Sequence, residues 1–157
     1  MKKTWIICFV IGLGVGPLLR GESKPFILGS VDRNSKAIQV SPLALLVNPE
    51  KYDGRKVQTD MYVCMDSGHG HIESPNLLFA LREDLEERRD SHAFVMMLRK
   101  DLVETPDWAK EIANKRAIVV GIFRMNTSWR HYMGGAGALE EIEFLMVGPD
   151  QQRRKQD

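Results

Sequence analysis

The apolar residues that follow the polar segment 21–39 have the spacing of a short helix. Ser41 provides an N-cap side chain, and Pro42 suits the first helical position, where no backbone amide hydrogen is needed. Leu43, Leu46 and Val47 then recur at the i, i+3 and i+4 positions of one helical face. The pattern predicts a helix of about two turns.

Five segments after this helix have the length and composition of β-strands. They are Val57–Met65, Leu77–Leu81, His92–Leu98, Ala117–Met125 and Leu139–Val147. The first follows the turn signal Asp53-Gly54 and alternates apolar with polar residues, which is typical of a half-buried strand. The fourth is apolar on both faces, which favours a central or well-covered position in a sheet.

A second helix is predicted between the third and fourth strands. Thr105 can act as its N-cap, Pro106 suits its first position, and Trp108 and Ile112 have the i, i+4 spacing of one helical face. The order of three strands, a helix and two strands is that of an OB-fold. The sequence therefore predicts a mainly β protein, a five-stranded OB-fold-like Greek-key barrel with a helix between strands 3 and 4 and an extra N-terminal helix.

The first residues of the chain have the layout of a secretory signal peptide. Lys2 and Lys3 form a basic start, Trp5–Val15 is almost wholly apolar, and polar residues begin at Arg20. We therefore predict a signal peptide over residues 1–22 and export to the periplasm or secretion. An uncleaved N-terminal anchor is the alternative, although Thr4–Leu19 is shorter than the roughly 20 apolar residues that a spanning helix needs.

The rest of the chain divides into one domain and two polar flanks. Residues 23–39 contain only isolated apolar residues and are predicted to be a flexible leader. Residues 40–148 form the predicted OB-fold-like domain, and residues 149–157 are predicted to be a disordered tail. After signal cleavage no membrane span is predicted.

Charge and cysteine content restrict the classes of function. Removing residues 1–22 takes away Lys2, Lys3, Arg20 and Glu22, which changes the formal net charge from +1 to −1. Because the basic residues are interleaved with acidic ones, nonspecific nucleic-acid binding is disfavoured. Cys64 is then the one remaining cysteine, so no intrachain disulfide can form, and an inert or partly buried thiol is preferred over a reactive one.

Three stretches of the predicted domain also match a recurring pattern. The matching residues are Leu46, Asn48, Pro49, Glu50, Tyr52, Asp53, Gly54 and Val57, then Ala117, Val119, Gly121 and Phe123, and finally Leu139, Ile142 and Leu145. On these residues the chain resembles a loose group of small exported bacterial proteins, mostly uncharacterised, that have an OB-like fold. Met61 stands where that group has a glycine. The resemblance implies a compact exported OB-like domain and carries no catalytic residues.

Two loops contain the residues that most clearly indicate a binding function. OB-folds bind ligands across the outer face of their second and third strands, between the loops that follow strands 1 and 4. Here these loops are Asp66–Asn76 and Asn126–Ala138. The second loop contains Trp129, Arg130, His131 and Tyr132, which predict a patch that stacks on a flat ligand and holds an anion. The alternative role for Trp129 is packing over the end of the barrel.

The same loops hold three of the four histidines. His69 and His71 are two residues apart, so both rings can face one side of an extended segment, with His131 closing a metal site from the other loop. Neutral imidazole suits a transition metal such as zinc, copper or nickel. The alternative is that the three histidines are solvated, because they lack the cysteine spacing of structural zinc sites.

The remaining candidates for chemistry have structural explanations. An anion-binding nest can be formed by Gly134, Gly135 and Gly137. A glycine cluster before a hairpin strand is, however, more often a flexible connection without a ligand. The acidic cluster of Glu83, Asp84, Glu86 and Glu87 is surrounded by arginines, which indicates a solvated charged turn. Residues 84–90 are predicted to form an exposed turn or a single helical turn. Neither a serine nucleophile elbow nor a His-Glu-x-x-His helix is present, so the protein is predicted not to be an enzyme.

These features together predict a non-enzymatic exported binding module. It would recognise a ligand or protein partner through its barrel face and the 66–76 and 126–138 loops. A small metal-binding protein that uses the loop histidines is the first alternative, and an envelope-tethered structural protein is the second.

Overall fold

The computed structural model describes residues 24–30, 36–65, 76–102, 108–125 and 135–148. The strands are β1 (Phe26–Gly29), β2 (Ile38–Gln39), β3 (Lys56–Cys64), β4 (Leu77–Phe79), β5 (Ala93–Leu98), β6 (Arg116–Arg124) and β7 (Gly137–Val147). The helices are α1 (Pro42–Val47), α2 (Arg82–Glu86) and α3 (Trp108–Ile112), with short 3₁₀ turns at Pro49–Lys51 and Asp90–His92. The predicted signal peptide and C-terminal tail lie outside these residues.

Five of the strands close into a barrel. β3 pairs antiparallel with both β4 and β6, and β4 pairs antiparallel with β5. β7 closes the barrel, because it pairs antiparallel with β6 and parallel with β5. α3 lies between β5 and β6 in the chain, and Trp108 and Ile112 on it are buried in the main core. The predicted mainly β, OB-fold-like barrel with added helices is confirmed.

The main core fills the inside of this barrel. Val57, Met61 and Val63 point inward from β3 and are fully buried. Phe94 from β5 and Phe123 from β6 meet edge to face, with ring centroids 6.0 Å apart and an interplanar angle of 66°. Such pairs contribute about 0.5–1.5 kcal/mol beyond the area that they bury, so these two rings help to define the packing of the core.

The Asp53-Gly54 turn ties the start of β3 to the end of β6. Gly54 has a φ of 74°, a left-handed conformation that glycine adopts without strain. Its amide donates to the carbonyl of Phe123 at 2.8 Å, and the Asp53 carboxylate accepts a hydrogen bond from the amide of Met125 at 2.9 Å. The turn residues therefore have a structural role in closing the barrel.

The helix α1 is present as predicted, but its buried side differs from the prediction. Leu45 is fully buried, whereas Leu43 and Val47 are 47% and 73% exposed. Six residues make fewer than two turns, so three apolar positions can be matched to a helical face by chance. The side of α1 that is buried is therefore determined by how the helix packs on the main core, through Leu45, and not by the spacing of its apolar residues.

Two parts of the predicted flexible leader are strands in the structure. β1 pairs antiparallel with the C-terminal half of β7, and β2 pairs parallel with the start of β3. Phe26 and Leu28 on β1 also pack against the main core. Long partner strands supply the hydrogen bonds that such short segments lack by themselves, so tertiary pairing overrides their weak local pattern.

A second apolar cluster covers the outside of the barrel. We call it the outer cluster; its members are Cys64, Leu77, Phe79, Leu85, Ala93, Val95 and Ala138. Leu85 comes from α2, and the other six come from four neighbouring strands. β4 is therefore buried on both faces, with Leu78 on the inside and Leu77 and Phe79 on the outside.

The prediction of a solvated charged turn was wrong for Asp84, although the segment does form a single helical turn. The Asp84 side chain is 2% exposed, and its carboxylate lies 3.1 Å from Nδ1 of His92 and 3.6 Å from Nη1 of Arg89. A buried carboxylate needs such partners because burial removes its hydration. Leu85 next to it is buried because it packs in the outer cluster, which turns this part of α2 towards the barrel.

Asp84→Ala is expected to destabilise the protein by about 1–3 kcal/mol, because it removes the acceptor of the His92 and Arg89 interactions inside the fold. Urea denaturation would measure the change. Glu86→Ala is the matched control, since Glu86 lies in the same helix, is 59% exposed and pairs with Arg82 at 2.7 Å. Its expected cost is below about 0.5 kcal/mol. Equal costs for the two variants would contradict a structural role for the Asp84 carboxylate.

Candidate functional site

All six residues of the predicted binding patch and metal site lie outside the described residues. Trp129, Arg130, His131 and Tyr132 belong to residues 126–134, and His69 and His71 belong to residues 66–75. The strands do define where the two loops begin. β3 and β6 are antiparallel, with Tyr62 opposite Arg116 and Lys56 opposite Ile122, so the loops leave this strand pair at opposite ends.

The face that OB-folds commonly use for binding is covered in this protein. That face is the outside of β4 and β5, and its residues Leu77, Phe79, Ala93 and Val95 are all buried in the outer cluster. Met97, further along β5, is 39% exposed. We expected an open binding face on the second and third barrel strands, which are β4 and β5. Most of this face is buried, and only its end at Met97 is exposed among the residues named here.

An open groove lies on the neighbouring outer face of the barrel. Its volume is about 480 Å³. We call it the β3–β6–β7 groove, and it is lined by Asp60, Tyr62, Arg82, Asn114, Lys115, Arg116, Ile118, Met146, Val147 and Gly148. Its residues come from three adjacent barrel strands, from α2 and from the turn that follows α3.

The strand register determines the floor of the groove. Ile118 on β6 lies opposite Asp60 on β3 and opposite Met146 on β7, and Arg116 lies opposite Tyr62. Side chains that are directly opposite on neighbouring strands share a face of the sheet and contact each other. Ile118, Met146 and Tyr62 therefore form a partly exposed apolar floor next to the Arg116 and Asp60 side chains.

One end of the groove is held by the turn between α3 and β6. Asn114 has a φ of 57°, the left-handed conformation that commonly ends a helix. Its amide donates to the carbonyl of Val63 at 2.8 Å, and the amide of Val63 donates to the carbonyl of Lys115 at 2.9 Å. These two hydrogen bonds fix the turn on β3, which places Asn114 and Lys115 at the rim.

The groove lining carries more positive than negative charge. Arg82, Lys115 and Arg116 are cationic, whereas Asp60 is the one acidic residue among the described residues of the lining. Arg116 donates from Nε to Oδ1 of Asp60 at 2.7 Å, and its Nη2 lies 2.7 Å from Oδ2. A hydrogen bond to Glu86 raises the pKa of Arg82 above its ordinary value. Like any arginine side chain in a protein, Arg82 is a cation.

A buried carboxylate elsewhere in the barrel is already held by cations. Glu143 on β7 accepts two hydrogen bonds from Nζ of Lys56, at 2.9 and 3.0 Å, and lies 3.6 Å from Nη1 of Arg99. Its side chain is 8% exposed. This partly buried ion-pair cluster links β3, β7 and the residue that follows β5. We therefore infer that Glu143 stabilises the barrel and does not bind a ligand.

Cys64 and the loop glycines also have structural surroundings. Cys64 is 1% exposed in the outer cluster, and Nη1 of Arg88 donates to its sulfur at 3.0 Å. Gly137 is the first residue of β7, and a side chain at Gly135 would lie 2.9 Å from the carbonyl oxygen of Ala93. Close backbone packing therefore accounts for these two glycines without a bound anion.

Among the described residues there is no group of three or more histidine, cysteine or acidic side chains that could hold a metal ion. His92 is the one histidine within that part of the chain, and it pairs with Asp84. The zinc alternative thus remains a prediction about the two loops. No helix in the described ranges has the length and apolar character needed to span a membrane.

Comparisons with protein families, curated proteins and solved structures find no match. The geometry of this chain must therefore support any functional proposal by itself. Sequence reasoning missed the groove because its residues are spread from Asp60 to Gly148 and are brought together by strand register. The sequence feature that could have indicated the groove is the polar side of β3, where Asp60 and Tyr62 alternate with core residues.

Proposed function

We propose that this protein is a non-enzymatic binding module whose ligand occupies the β3–β6–β7 groove. The observation that carries the proposal is an open groove of about 480 Å³ on the outside of a closed barrel. Ligand sites on rigid scaffolds are typically concave, with apolar surface and a few polar groups that orient the ligand. The floor of Ile118, Met146 and Tyr62 and the rim of Arg82, Lys115 and Arg116 have this composition.

A binding role suits the groove better than catalysis. The cations of the lining form ion pairs with carboxylates, and the described lining has no serine, cysteine or histidine to serve as a nucleophile or base. We also propose that the protein is exported, as the N-terminal sequence predicts, and that it belongs to the group of exported OB-like proteins that it resembles. The loops 66–76 and 126–138 remain the second proposed part of the binding surface.

NMR chemical-shift mapping with ¹⁵N-labelled protein and a library of acidic, basic and neutral fragments tests the site. We expect the backbone amide signals of Asp60, Ile118 and Met146 to shift together for at least one fragment class, because these residues are neighbours on the groove floor. Shifts confined to α1, or scattered over the surface, would contradict the proposed location. Simultaneous shifts in residues 66–75 and 126–134 would extend the site to the two loops.

The alternative functions rest on parts of the chain that the structure does not describe. The metal-binding alternative depends on His69, His71 and His131, and the envelope-tethered alternative depends on residues 1–19 remaining attached. Metal analysis of purified protein and its intact mass after export separate these alternatives from the proposed binding module.

A further inference from the structure

We propose that the ligand of the β3–β6–β7 groove is a small organic anion with a flat apolar body. This inference rests on the proposed function and adds the chemical class of the ligand. Three features support it: the charge of the lining, the hydrogen-bond donors that the same cationic side chains retain, and the apolar floor.

Charge is the first feature. Arg82, Lys115 and Arg116 come from α2, the turn after α3 and the start of β6, and they converge on one groove. Among the described lining residues, Asp60 offsets one of them. Glu86 and Glu111 pair with Arg82 and Lys115 from outside the lining, but both are exposed, at 59% and 58%. Exposed ion pairs are weak, so a ligand anion can share these cations at little cost.

Hydrogen-bonding capacity is the second feature. An arginine has five N–H donors, and Arg116 directs two of its nitrogens, Nε and Nη2, to Asp60. Arg82 uses Nε for Glu86, and Nζ of Lys115 lies 4.0 Å from Glu111, which is beyond hydrogen-bond distance. The cationic groups in the groove therefore retain several donors. A ligand rich in acceptor oxygens, such as a phosphate, sulfate or carboxylate, complements them.

The apolar floor is the third feature. Tyr62, Ile118 and Met146 are each partly exposed, and the register places Ile118 next to Met146 on the neighbouring strand. A tyrosine ring stacks on flat groups, and a thioether makes favourable contacts with aromatic rings. An inorganic anion would leave this surface in contact with water. An organic anion can cover the floor while its charged group reaches Arg116 and Lys115.

The size of the groove favours a small molecule over a macromolecule. Its volume of about 480 Å³ lies within the roughly 300–1,000 Å³ that is common for small-ligand pockets. The formal net charge of the whole chain is only +1, so the protein lacks the broad basic excess that an extended polyanion would need. Within the described lining, three cationic side chains accompany one carboxylate.

Phenyl phosphate is a suitable probe because it joins a dianionic group to one aromatic ring. We expect it to shift the amide signals of Ile118 and Met146 at millimolar concentration, and we expect its affinity to fall as sodium chloride is raised. Inorganic phosphate tests the anion alone, and benzyl alcohol tests the ring alone. Both are expected to bind at least about tenfold more weakly than phenyl phosphate, since each lacks one set of contacts.

Four variants test the assignment of the cations and their counterion. Arg116→Gln and Lys115→Gln are each expected to weaken phenyl phosphate binding by about tenfold, through loss of a charge-assisted hydrogen bond. Asp60→Asn is expected to strengthen binding severalfold, because it releases Arg116 and removes the repelling charge. Arg124→Gln is the matched control, since Arg124 ends the same strand and pairs with Glu140 at 3.6 Å but does not line the groove.

Tyr62→Leu tests the floor, with Tyr52→Leu as its control, because both tyrosines are half-buried but only Tyr62 belongs to the groove lining. Circular dichroism of every variant checks that the barrel is folded.

The ligand assignment is overturned if benzyl alcohol binds as tightly as phenyl phosphate, or if Arg124→Gln weakens binding as much as Arg116→Gln. In that case fragments of another class that map to the groove would still support the proposed function, whereas the absence of any fragment in the groove would overturn both.

Discussion

Replacing Phe123 by alanine is expected to destabilise the barrel by about 3–5 kcal/mol. The Phe123 side chain is fully buried in the main core and packs edge to face on Phe94 across the barrel interior. Its removal loses the burial of a large ring and leaves a cavity that the paired strands around it cannot fill by collapsing. The midpoint and slope of a urea denaturation curve would measure the loss.

Phe144→Ala is the control for this prediction, because Phe144 on β7 is only half-buried and does not belong to the main core. We expect it to cost less than half as much as Phe123→Ala. A double-mutant cycle with Phe94→Ala should show a coupling energy of about 0.5–1.5 kcal/mol between the two rings. Equal costs for Phe123→Ala and Phe144→Ala would show that the barrel interior is not packed as described.

Replacing Gly29 by alanine is expected to detach β1 from β7 and to cost about 2–4 kcal/mol. Gly29 has a φ of 77°, and a β-carbon at this position would overlap the backbone carbonyl of Glu143. Relief of the overlap requires β1 to move away from β7, so the hydrogen bonds of this strand pair are lost. Hydrogen exchange should become faster in residues 26–29 while the amides of β6 keep their protection.

Gly148→Ala is the matched control for Gly29→Ala. Gly148 follows the same strand β7, and nothing lies within 4 Å of a β-carbon built on it. We expect a change in stability of no more than about 0.5 kcal/mol. If Gly29→Ala were equally neutral, residues 26–29 would not be a paired strand, and the predicted flexible leader would be restored.

The order and type of the main elements could be predicted from local patterns. The alternation of Val57, Thr59, Met61 and Val63 with polar residues identified β3 and its inward face, and these four residues are buried. The order of strands and helices was then sufficient to predict the barrel, because few topologies bury the apolar faces of five short strands and one helix. β1 was missed because four residues carry too little pattern to compete with loop composition.

The candidate site was much less predictable. The analogy with other OB-folds placed a binding face on β4 and β5, where Phe79 and Val95 are buried by the outer cluster. Three-residue strands such as β4 contain no alternation from which burial on both sides can be distinguished from burial on one side. The cationic groups of the groove looked like ordinary surface charges in sequence, because Arg82 and Arg116 are 34 positions apart.

The sequence alone determined which segments form the barrel strands and which of their residues face the core. The tertiary structure determined which outer faces of the barrel are covered and which are open. Apolar periodicity and the Asp53-Gly54 turn act locally, over a few residues, and these local signals are sufficient for the barrel strands and α3. Which outer face is covered, and which remains open, depends on how strands in register combine residues that are distant in sequence. Asp60, Arg116 and Gly148 share the β3–β6–β7 groove because β6 pairs with both β3 and β7, and no local signal encodes that pairing.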